Sequence, residues 1–158
     1  MKHLLAAGAL AMAATGATTA AWAQEFHAGF SLDYASPTEG DSQTAISGIA
    51  GVTFGRDVLT YGVEAEAGVP LGGNTDYDTT RFRAIGLYDL GDYEVLGAAG
   101  FTRYGLADDS EDGVNFGLGV QRDYSDWTIL RAEFIRDNMS SDNVPDATTA
   151  RIGVLFNF

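Results

Sequence analysis

Alternation of apolar with small or acidic residues is the sequence feature that most constrains this chain. Between Leu59 and Val69 every second residue is apolar, and the residues between them are Thr, Gly or Glu. This period of two matches the geometry of a β-strand whose two faces meet different surroundings. The same alternation occupies residues 26–34 and 150–158, so the first and last strands are predicted to behave alike.

The whole chain beyond residue 23 follows this plan. Five further strand-like segments are predicted at 44–54, 80–90, 93–103, 114–124 and 127–136. Short separators at 55–57, 91–92 and 125–126 alternate with long ones at 35–43, 70–79, 104–113 and 137–148. The long separators contain all three prolines and many Asp, Asn, Ser and Gly residues, as loops do. The sequence therefore predicts an all-β, eight-stranded, antiparallel up-and-down barrel with both termini at one end.

The facing of two strands is ambiguous from the sequence. Segments 44–54 and 93–103 are rich in Gly and Ala, and a shift of one residue would exchange their two faces. For the second segment we predict Val95, Gly97 and Phe101 on the outer face, together with Ala99, because this choice places Glu94 inside.

Residues 1–23 differ in kind from the rest and resemble a secretory signal peptide. Lys2 supplies a basic start, residues 4–14 are apolar, and Ala21 and Ala23 form a small-x-small cleavage site. An uncleaved anchor helix is the alternative, but the most apolar part is shorter than the roughly 18 residues that a span needs. We therefore expect a signal peptide at 1–23, export, and a transmembrane β-barrel domain at 24–158.

Composition excludes several functions. The 22 acidic residues against nine basic ones give a formal net charge of −13, which would repel nucleic-acid phosphates. The chain has no cysteine, which excludes a disulfide framework, a thiolate metal site and a cysteine nucleophile.

An eight-stranded meander can be a soluble lipocalin-type barrel, with an apolar interior and a polar outer face, or a membrane barrel, in which the two faces are exchanged. The predicted strands have about the 9 to 11 residues that cross a hydrocarbon core. The polar face combines glycines with charges of both signs, which suits a crowded lumen. We predict a lumen charge network of Glu64, Glu66, Arg81, Arg83, Arg131, Glu133 and Arg151. If residues 70–79 form the loop, Glu66 is expected opposite Arg83.

Aromatic residues give a further argument for a membrane, because amphipathic rings gather at its interfaces. The predicted girdle at the short-turn end consists of Phe26, Phe54, Tyr88, Tyr93, Tyr124, Trp127 and Phe158. A thinner girdle at the long-loop end would consist of Tyr34, Phe82 and Tyr104.

The residues 116–121, which read FGLGVQ, followed by Tyr124, Trp127 and the segment 130–134, resemble the sixth and seventh strands of the OmpA/OmpX-type outer-membrane barrels. The resemblance implies localisation in the outer membrane of a Gram-negative bacterium, short periplasmic turns and long extracellular loops. It also implies a C-terminal assembly signal, read by the outer-membrane insertion machinery, at Ile152, Val154, Phe156 and Phe158.

Catalysis is not expected. Some barrels of this size act on lipid A, but the single histidine beyond the signal peptide, His27, is predicted in the lumen near the periplasmic end. A base there could not reach an ester in the outer leaflet. We predict no enzyme activity, catalytic residue or cofactor.

Acidic residues crowd the predicted loops: Glu39, Asp41, Asp76, Asp78, Asp108, Asp109, Glu111, Asp112, Asp137, Asp142 and Asp146. Residues 108–113 resemble the start of a calcium loop, but the twelfth position is Gly119 instead of an acid. We therefore predict no specific metal site, and unspecific divalent cations at an acidic rim beside lipopolysaccharide.

Three functions remain open at this point. The leading one is a structural or surface-interaction role for an outer-membrane barrel whose partners are membrane lipids and lipopolysaccharide. The second is a narrow porin-like pore for ions or small solutes, although eight strands normally enclose an interior that side chains fill. The third is a secreted soluble binder of lipocalin type.

The assembly signal generates the first testable prediction. Deleting Phe158, or replacing it with Asp, should lower the amount of assembled barrel, because this residue closes the apolar row of the last strand. Heat-modifiable gel mobility of membrane fractions measures the assembled form. Unchanged insertion of the deleted chain would contradict the assignment.

Overall fold

A computed structural model describes residues 24–55, 58–72, 77–105, 110–141 and 144–158. The predicted signal peptide, with Ala21 and Ala23, lies outside these residues and stays a prediction. Eight strands make up the fold: β1 Gln24–Pro37, β2 Gln43–Phe54, β3 Leu59–Gly72, β4 Asp78–Asp89, β5 Glu94–Gly105, β6 Ser110–Ser125, β7 Thr128–Met139 and β8 Ala147–Asn157. Across these described ranges, no helix is long and apolar enough to cross a membrane.

The strands form one closed barrel in the order of the sequence. Consecutive strands pair antiparallel, and β8 closes the ring by pairing antiparallel with β1, where Phe30 lies opposite Val154 and Asp33 opposite Arg151. Each strand thus has two hydrogen-bonded neighbours, and the sheet has no open edge. The predicted fold class is confirmed.

The two faces of this barrel are exchanged relative to a soluble barrel. Large apolar side chains stand on the outer surface of all eight strands, including Leu118 at 69% exposure and Phe134 at 68%. The charged and polar side chains of the alternate positions are buried inside. Because soluble monomers rarely expose such a continuous apolar surface, this arrangement defines a membrane barrel and rules out the lipocalin-type alternative.

The two ambiguous strands are now assigned. In β5, Val95 and Phe101 face outward and Leu96 is buried, so the predicted facing is correct. In β2, Ser47 and Ile49 face the lumen, and Ile46 lies on the outer surface.

The predicted long loops are shorter than expected. At the end that we call the long-loop end, the connections occupy 38–42, 73–77, 106–109 and 140–146. Residues such as 110–113 and 137–139, which have loop-like composition, continue the strands because their backbone groups still find partners on the neighbouring strand. At the opposite, short-turn end, Gly55 and Gly91 adopt positive φ angles of 144° and 96°, which glycine allows without a steric penalty.

The predicted pairing of Glu66 with Arg83 is wrong by two residues. In the structure Glu64 lies opposite Arg83, and Glu66 lies opposite Arg81. The prediction assumed a symmetric loop between β3 and β4, whereas β3 extends beyond its β4 partner and pairs there with β2 alone. Such a stagger between neighbouring strands accompanies the tilt of a closed barrel. A shift of two residues keeps both side chains on the inner face.

One member of the predicted aromatic girdles points the other way. Tyr104 is 1% exposed and lies inside the barrel. It is three residues beyond the outward Phe101, and an odd spacing on a strand reverses the face. The predicted rings at the short-turn end are exposed except for Phe54, which is half-buried. At the long-loop end, Tyr34 and Phe82 are exposed.

The outer face generates a prediction about stability in a bilayer. Leu118 occupies the middle of β6, and Tyr124 lies near the short-turn end of the same strand. We expect Leu118→Arg to lower the free energy of unfolding from phosphatidylcholine bilayers by about 2–4 kcal/mol, as for an arginine at the midplane, and Tyr124→Arg by about 0–1 kcal/mol. Urea titration of both variants measures the two free energies of unfolding. Equal losses would contradict the placement of Leu118 at the midplane of the membrane and of Tyr124 near its interface.

Candidate functional site

The buried charged side chains of this protein are gathered in the lumen of the barrel. Within the part of the chain that the structure describes, the buried lumen charges are five carboxylates, four guanidinium groups and one imidazole. They belong to Asp33, Glu64, Glu66, Glu133 and Asp137, to Arg81, Arg83, Arg131 and Arg151, and to His27. The structure therefore brings together all seven residues predicted for the network and adds three more.

Glu64 joins two arginines and the imidazole of His27 on the short-turn side of the network. Its Oε1 accepts a hydrogen bond from Arg131 at 2.6 Å and from His27 Nε2 at 2.9 Å. Its Oε2 accepts from Arg83 at 3.0 Å. Because a carboxylate only accepts, the short contact requires the proton of His27 on Nε2. The imidazole of His27 is therefore a structural member of the network.

Arg83 connects this group to β7. Its guanidinium donates to both carboxylate oxygens of Glu133. This bidentate arrangement fixes the orientation of the guanidinium plane relative to the carboxylate plane. The side chain of Arg83 is fully buried, and Glu66 Oε2 lies 3.6 Å from Nη2. The arginine is therefore the central cation of the network, with three carboxylates around it.

Arg151 connects the last strand to the first. It donates to Asp33 Oδ1 at 2.8 Å and Oδ2 at 2.6 Å. Its Nη1 also donates to Glu66 Oε2 at 2.5 Å. Ser47 completes the shell by donating to Asp33 at 2.8 Å. A charged contact thus reinforces the backbone pairing that closes the barrel.

The prediction that Asp137 is one of the loop acids is wrong. Asp137 lies in β7 and is fully buried in the lumen. Arg81 donates to both of its oxygens, at 3.0 and 2.6 Å, and Thr102 and Tyr104 donate at 2.6 and 2.9 Å. The acidic composition of residues 137–148 suggested a loop, whereas the alternation from Arg131 through Glu133 already placed position 137 inside.

Asp33 and His27 were also missing from the predicted network. Both alternate in phase with the inner face of β1, between outward residues such as Phe30. This periodicity is the signal that could have assigned them, because a charge in phase with a lumen face meets the other lumen charges.

Two glycines make room for these side chains. A Cβ built on Gly51 would lie 2.6 Å from His27 Nε2 and 2.7 Å from the carbonyl oxygen of Val63. A Cβ on Gly117 would collide with Glu133 Oε1 and lie 3.2 Å from Arg83 Nη1. The many glycines of the inner face thus permit large charged groups in a narrow barrel.

Apolar side chains flank the network within the barrel. At the long-loop end Tyr77, Tyr104 and Val144 form a buried cluster, with the two rings 4.6 Å apart. Toward the short-turn end lie two further buried clusters. They consist of Ile49, Ile129 and Leu155, and of Ile85, Leu87 and Leu96.

Two lumen cavities lie on opposite sides of the network. The one at the short-turn end measures about 90 Å³ and is lined by polar groups that include Glu94, Gln121 and His27. The one at the long-loop end measures about 10 Å³, which is space for about one water molecule. Gln43 Oε1 and Thr149 Oγ1 lack a protein partner and belong to residues that line this smaller cavity.

The remaining predicted loop acids fall into three groups. Asp76, Asp108, Asp109 and Asp142 lie outside the described residues, as does part of the calcium-like segment 108–113. Asp112 and Asp146 each pair with an arginine, Arg103 at 2.6 Å and Arg136 at 3.0 Å. Glu39, Asp41 and Asp78 are exposed, and Glu111 is half-buried in β6. The accumulation of divalent cations there stays a prediction.

The residues of the predicted assembly signal form the outer row of β8. Ile152, Val154 and Phe158 are exposed on the outer face, and Phe156 packs against Trp127 with ring centroids 5.6 Å apart. The backbone N–H of Phe158 donates to the carbonyl oxygen of Phe26 at 2.9 Å, so the last residue ties the chain end to β1. Recognition by the insertion machinery stays a prediction.

A closed eight-stranded barrel with an apolar outer belt and a charge-filled lumen defines the class of small membrane barrels. Solved outer-membrane barrels share this fold. Neisserial surface protein A is 14% identical, with 85% of this chain and 95% of that chain covered and a TM-score of 0.61.

Two further solved structures agree. The attachment invasion locus protein Ail of Yersinia pestis is 12% identical over 85% of this chain and 97% of its own, with a TM-score of 0.57. The N-terminal β-barrel domain of Pseudomonas aeruginosa OprF is 13% identical over 84% and 97%, with a TM-score of 0.63. No family model and no curated protein matches the sequence. The fold is that of the OmpA/OmpX-like small outer-membrane barrels.

The network geometry generates a prediction for double-mutant cycles. Glu66 and Arg151 share two hydrogen bonds, of 2.5 and 3.1 Å, whereas Glu66 and Arg83 approach only to 3.6 Å. Each single truncation should cost about 3–5 kcal/mol, because it leaves a buried charge unpaired. The coupling energy in unfolding should be larger for Glu66→Ala with Arg151→Ala than for Glu66→Ala with Arg83→Ala.

The exposed pair Arg103 and Asp112 provides the matched control. Both side chains are 61% exposed, and a surface pair contributes about 0–1 kcal/mol. Additive effects in the Glu66 and Arg151 cycle would show that these lumen charges are solvated and independent.

Proposed function

We propose that this protein is a non-conducting outer-membrane barrel with a structural or surface-interaction role. The observation that carries the proposal is the filled lumen, in which guanidinium groups and carboxylates from five of the eight strands meet in direct contact. A solute that crossed the barrel would have to separate these ion pairs and the apolar clusters on either side. Both steps are costly, since a separated ion pair leaves buried charges without partners.

Placement in the outer membrane of a Gram-negative bacterium rests on the fold and on the predicted signal peptide. Since β1 begins and β8 ends at the short-turn end, this end would face the periplasm and the long-loop end the outside. One of the solved relatives is named a surface protein and another an attachment invasion locus protein. Those names favour an interaction role for the outer end of this chain.

The same geometry argues against catalysis. His27 is the one imidazole of the described residues, and its Nε2 is engaged with Glu64 inside the barrel. The lumen carboxylates are almost completely buried and already accept hydrogen bonds from arginines. None of these groups is open to a substrate in the membrane, so we propose that the protein is not an enzyme.

Conductance of single barrels tests this function. In planar bilayers we expect the full-length mature chain to give no stable ohmic steps in potassium chloride. The variant Arg83→Ser with Glu133→Ser removes the central ion pair and its bulk, and it should give measurable openings if it folds. Heat-modifiable mobility checks the folding of each sample. Stable steps from the unsubstituted chain would establish the pore alternative and end the structural interpretation.

A further inference from the structure

The outer face of β6, β7, β8 and β1 contains an apolar groove of about 720 Å³. Ala150 forms the floor of this groove and lies between two large aromatic rings. Phe134 is its neighbour on β7 and Tyr34 is its neighbour on β1. Both rings stand well out of the surface, at 68% and 55% exposure. The groove continues toward the middle of the barrel between Leu32, Leu118 and Ile152.

A cationic side chain lies beyond the long-loop end of this groove. Arg136 follows Phe134 by two residues, and Thr148 precedes Ala150 by two, so both share the outer face about 7 Å farther along their strands. The guanidinium Nη1 donates to Thr148 Oγ1 at 3.1 Å, and Nη2 donates to Asp146 Oδ2 at 3.0 Å. The charge therefore lies next to the apolar groove on the same outer face of the barrel.

Asp146 holds Arg136 in place. Its Oδ1 accepts the backbone N–H of Met139 at 2.9 Å, which anchors the carboxylate to the end of β7. A further contact runs from Arg136 Nε to Asn138 Oδ1 at 3.3 Å. These contacts use three of the five N–H groups of the guanidinium, and the side chain stays 39% exposed. Donors thus remain for an anionic ligand at the groove.

Two other arginines of the described strands point outward, and they differ from Arg136 in their position relative to the groove. Arg103 donates to both carboxylate oxygens of Asp112, at 2.6 and 2.9 Å. Arg122 lies over the ring of Tyr93, 5.4 Å from its centroid. Neither side chain adjoins the groove that Ala150 floors.

We propose that this groove and Arg136 form a binding site for a phosphorylated lipid of the outer leaflet. One acyl chain would lie on Ala150 between Phe134 and Tyr34, with the phosphate at the guanidinium. The volume is in the range of small-ligand sites, and guanidinium groups recognise phosphate oxygens by directed hydrogen bonds. A phosphorylated glycolipid of the lipid A type has this combination of chains and charge. The assignment of leaflet rests on the proposed orientation of the barrel.

Fluorescence quenching by brominated lipids tests the site directly. The reporter is the mature chain carrying Phe134→Trp and Trp127→Phe, folded in phosphatidylcholine vesicles. Phosphatidic acid with brominated acyl chains should quench the new indole about two- to fivefold more effectively, per mole fraction, than brominated phosphatidylcholine, as for one exposed charge pair. Unlabelled lipid A should restore the fluorescence.

Two variants separate the contributions of the charge and the groove. Arg136→Gln should abolish the preference for phosphatidic acid, and Ala150→Leu should lower quenching by both lipids because it fills the floor. Arg122→Gln removes an outward arginine at the opposite end of the barrel and should leave the preference unchanged. The native Trp127, in a chain that keeps Phe134, should show no preference, and gel mobility checks the folding of every variant.

Several results would overturn the proposal. These are equal quenching by the two lipids in the reporter chain, a preference that survives Arg136→Gln, or no competition by lipid A. A loss of quenching that grows with the protein-to-lipid ratio would show a second copy of the chain in the groove instead. Because these measurements do not depend on conductance, failure of the lipid site is distinguishable from failure of the proposed function.

Discussion

Closure of the backbone hydrogen-bond ladder is the constraint on which the rest of this structure depends. In hydrocarbon every N–H and C=O must find a partner within the protein, and a sheet meets this requirement only when its last strand returns to its first. Eight strands close at a diameter that leaves the interior just wide enough for side chains. The ring therefore determines that the lumen is packed rather than open, and that its outer face is apolar.

The packed lumen in turn requires partners for its buried charges. Five carboxylates face four guanidinium groups and the imidazole of His27, and partners across the lumen replace the water that these groups lose. Arg81, Arg83 and Arg151 each make a bidentate contact with one acid and a further contact with a second acid. Glycines at positions 51 and 117 supply the space that such large groups require. Ion pairing, volume and backbone closure are thus satisfied together.

Much of this could be predicted from the sequence, because period-two alternation determines which face a residue occupies. It correctly assigned the strands and the facing of β5, and it identified seven of the ten carboxylate, guanidinium and imidazole side chains that meet in the lumen of the described residues. Register depends instead on the stagger between tilted strands, which no local pattern records, and the Glu66 pairing was therefore wrong by two residues. Composition was misleading at the strand ends, where Asp137 and Tyr104 lie in loop-like sequence but continue the ladder into the lumen. The groove at Ala150 arises from neighbours on three different strands, so it required the pairing to be known.

The contact between Asp33 and Arg151 has a consequence for how the barrel is made. These residues are 118 positions apart and belong to the first and last strands, so their ion pair exists only after the ring has closed. Before closure Asp33 and Arg151 lack each other as partners, and an unpaired charge in a low-dielectric setting is heavily penalised. A sheet that has not closed therefore lacks an ion pair that the finished barrel contains. Closure of the ring is thus accompanied by the neutralisation of a buried charge on the first strand by one on the last.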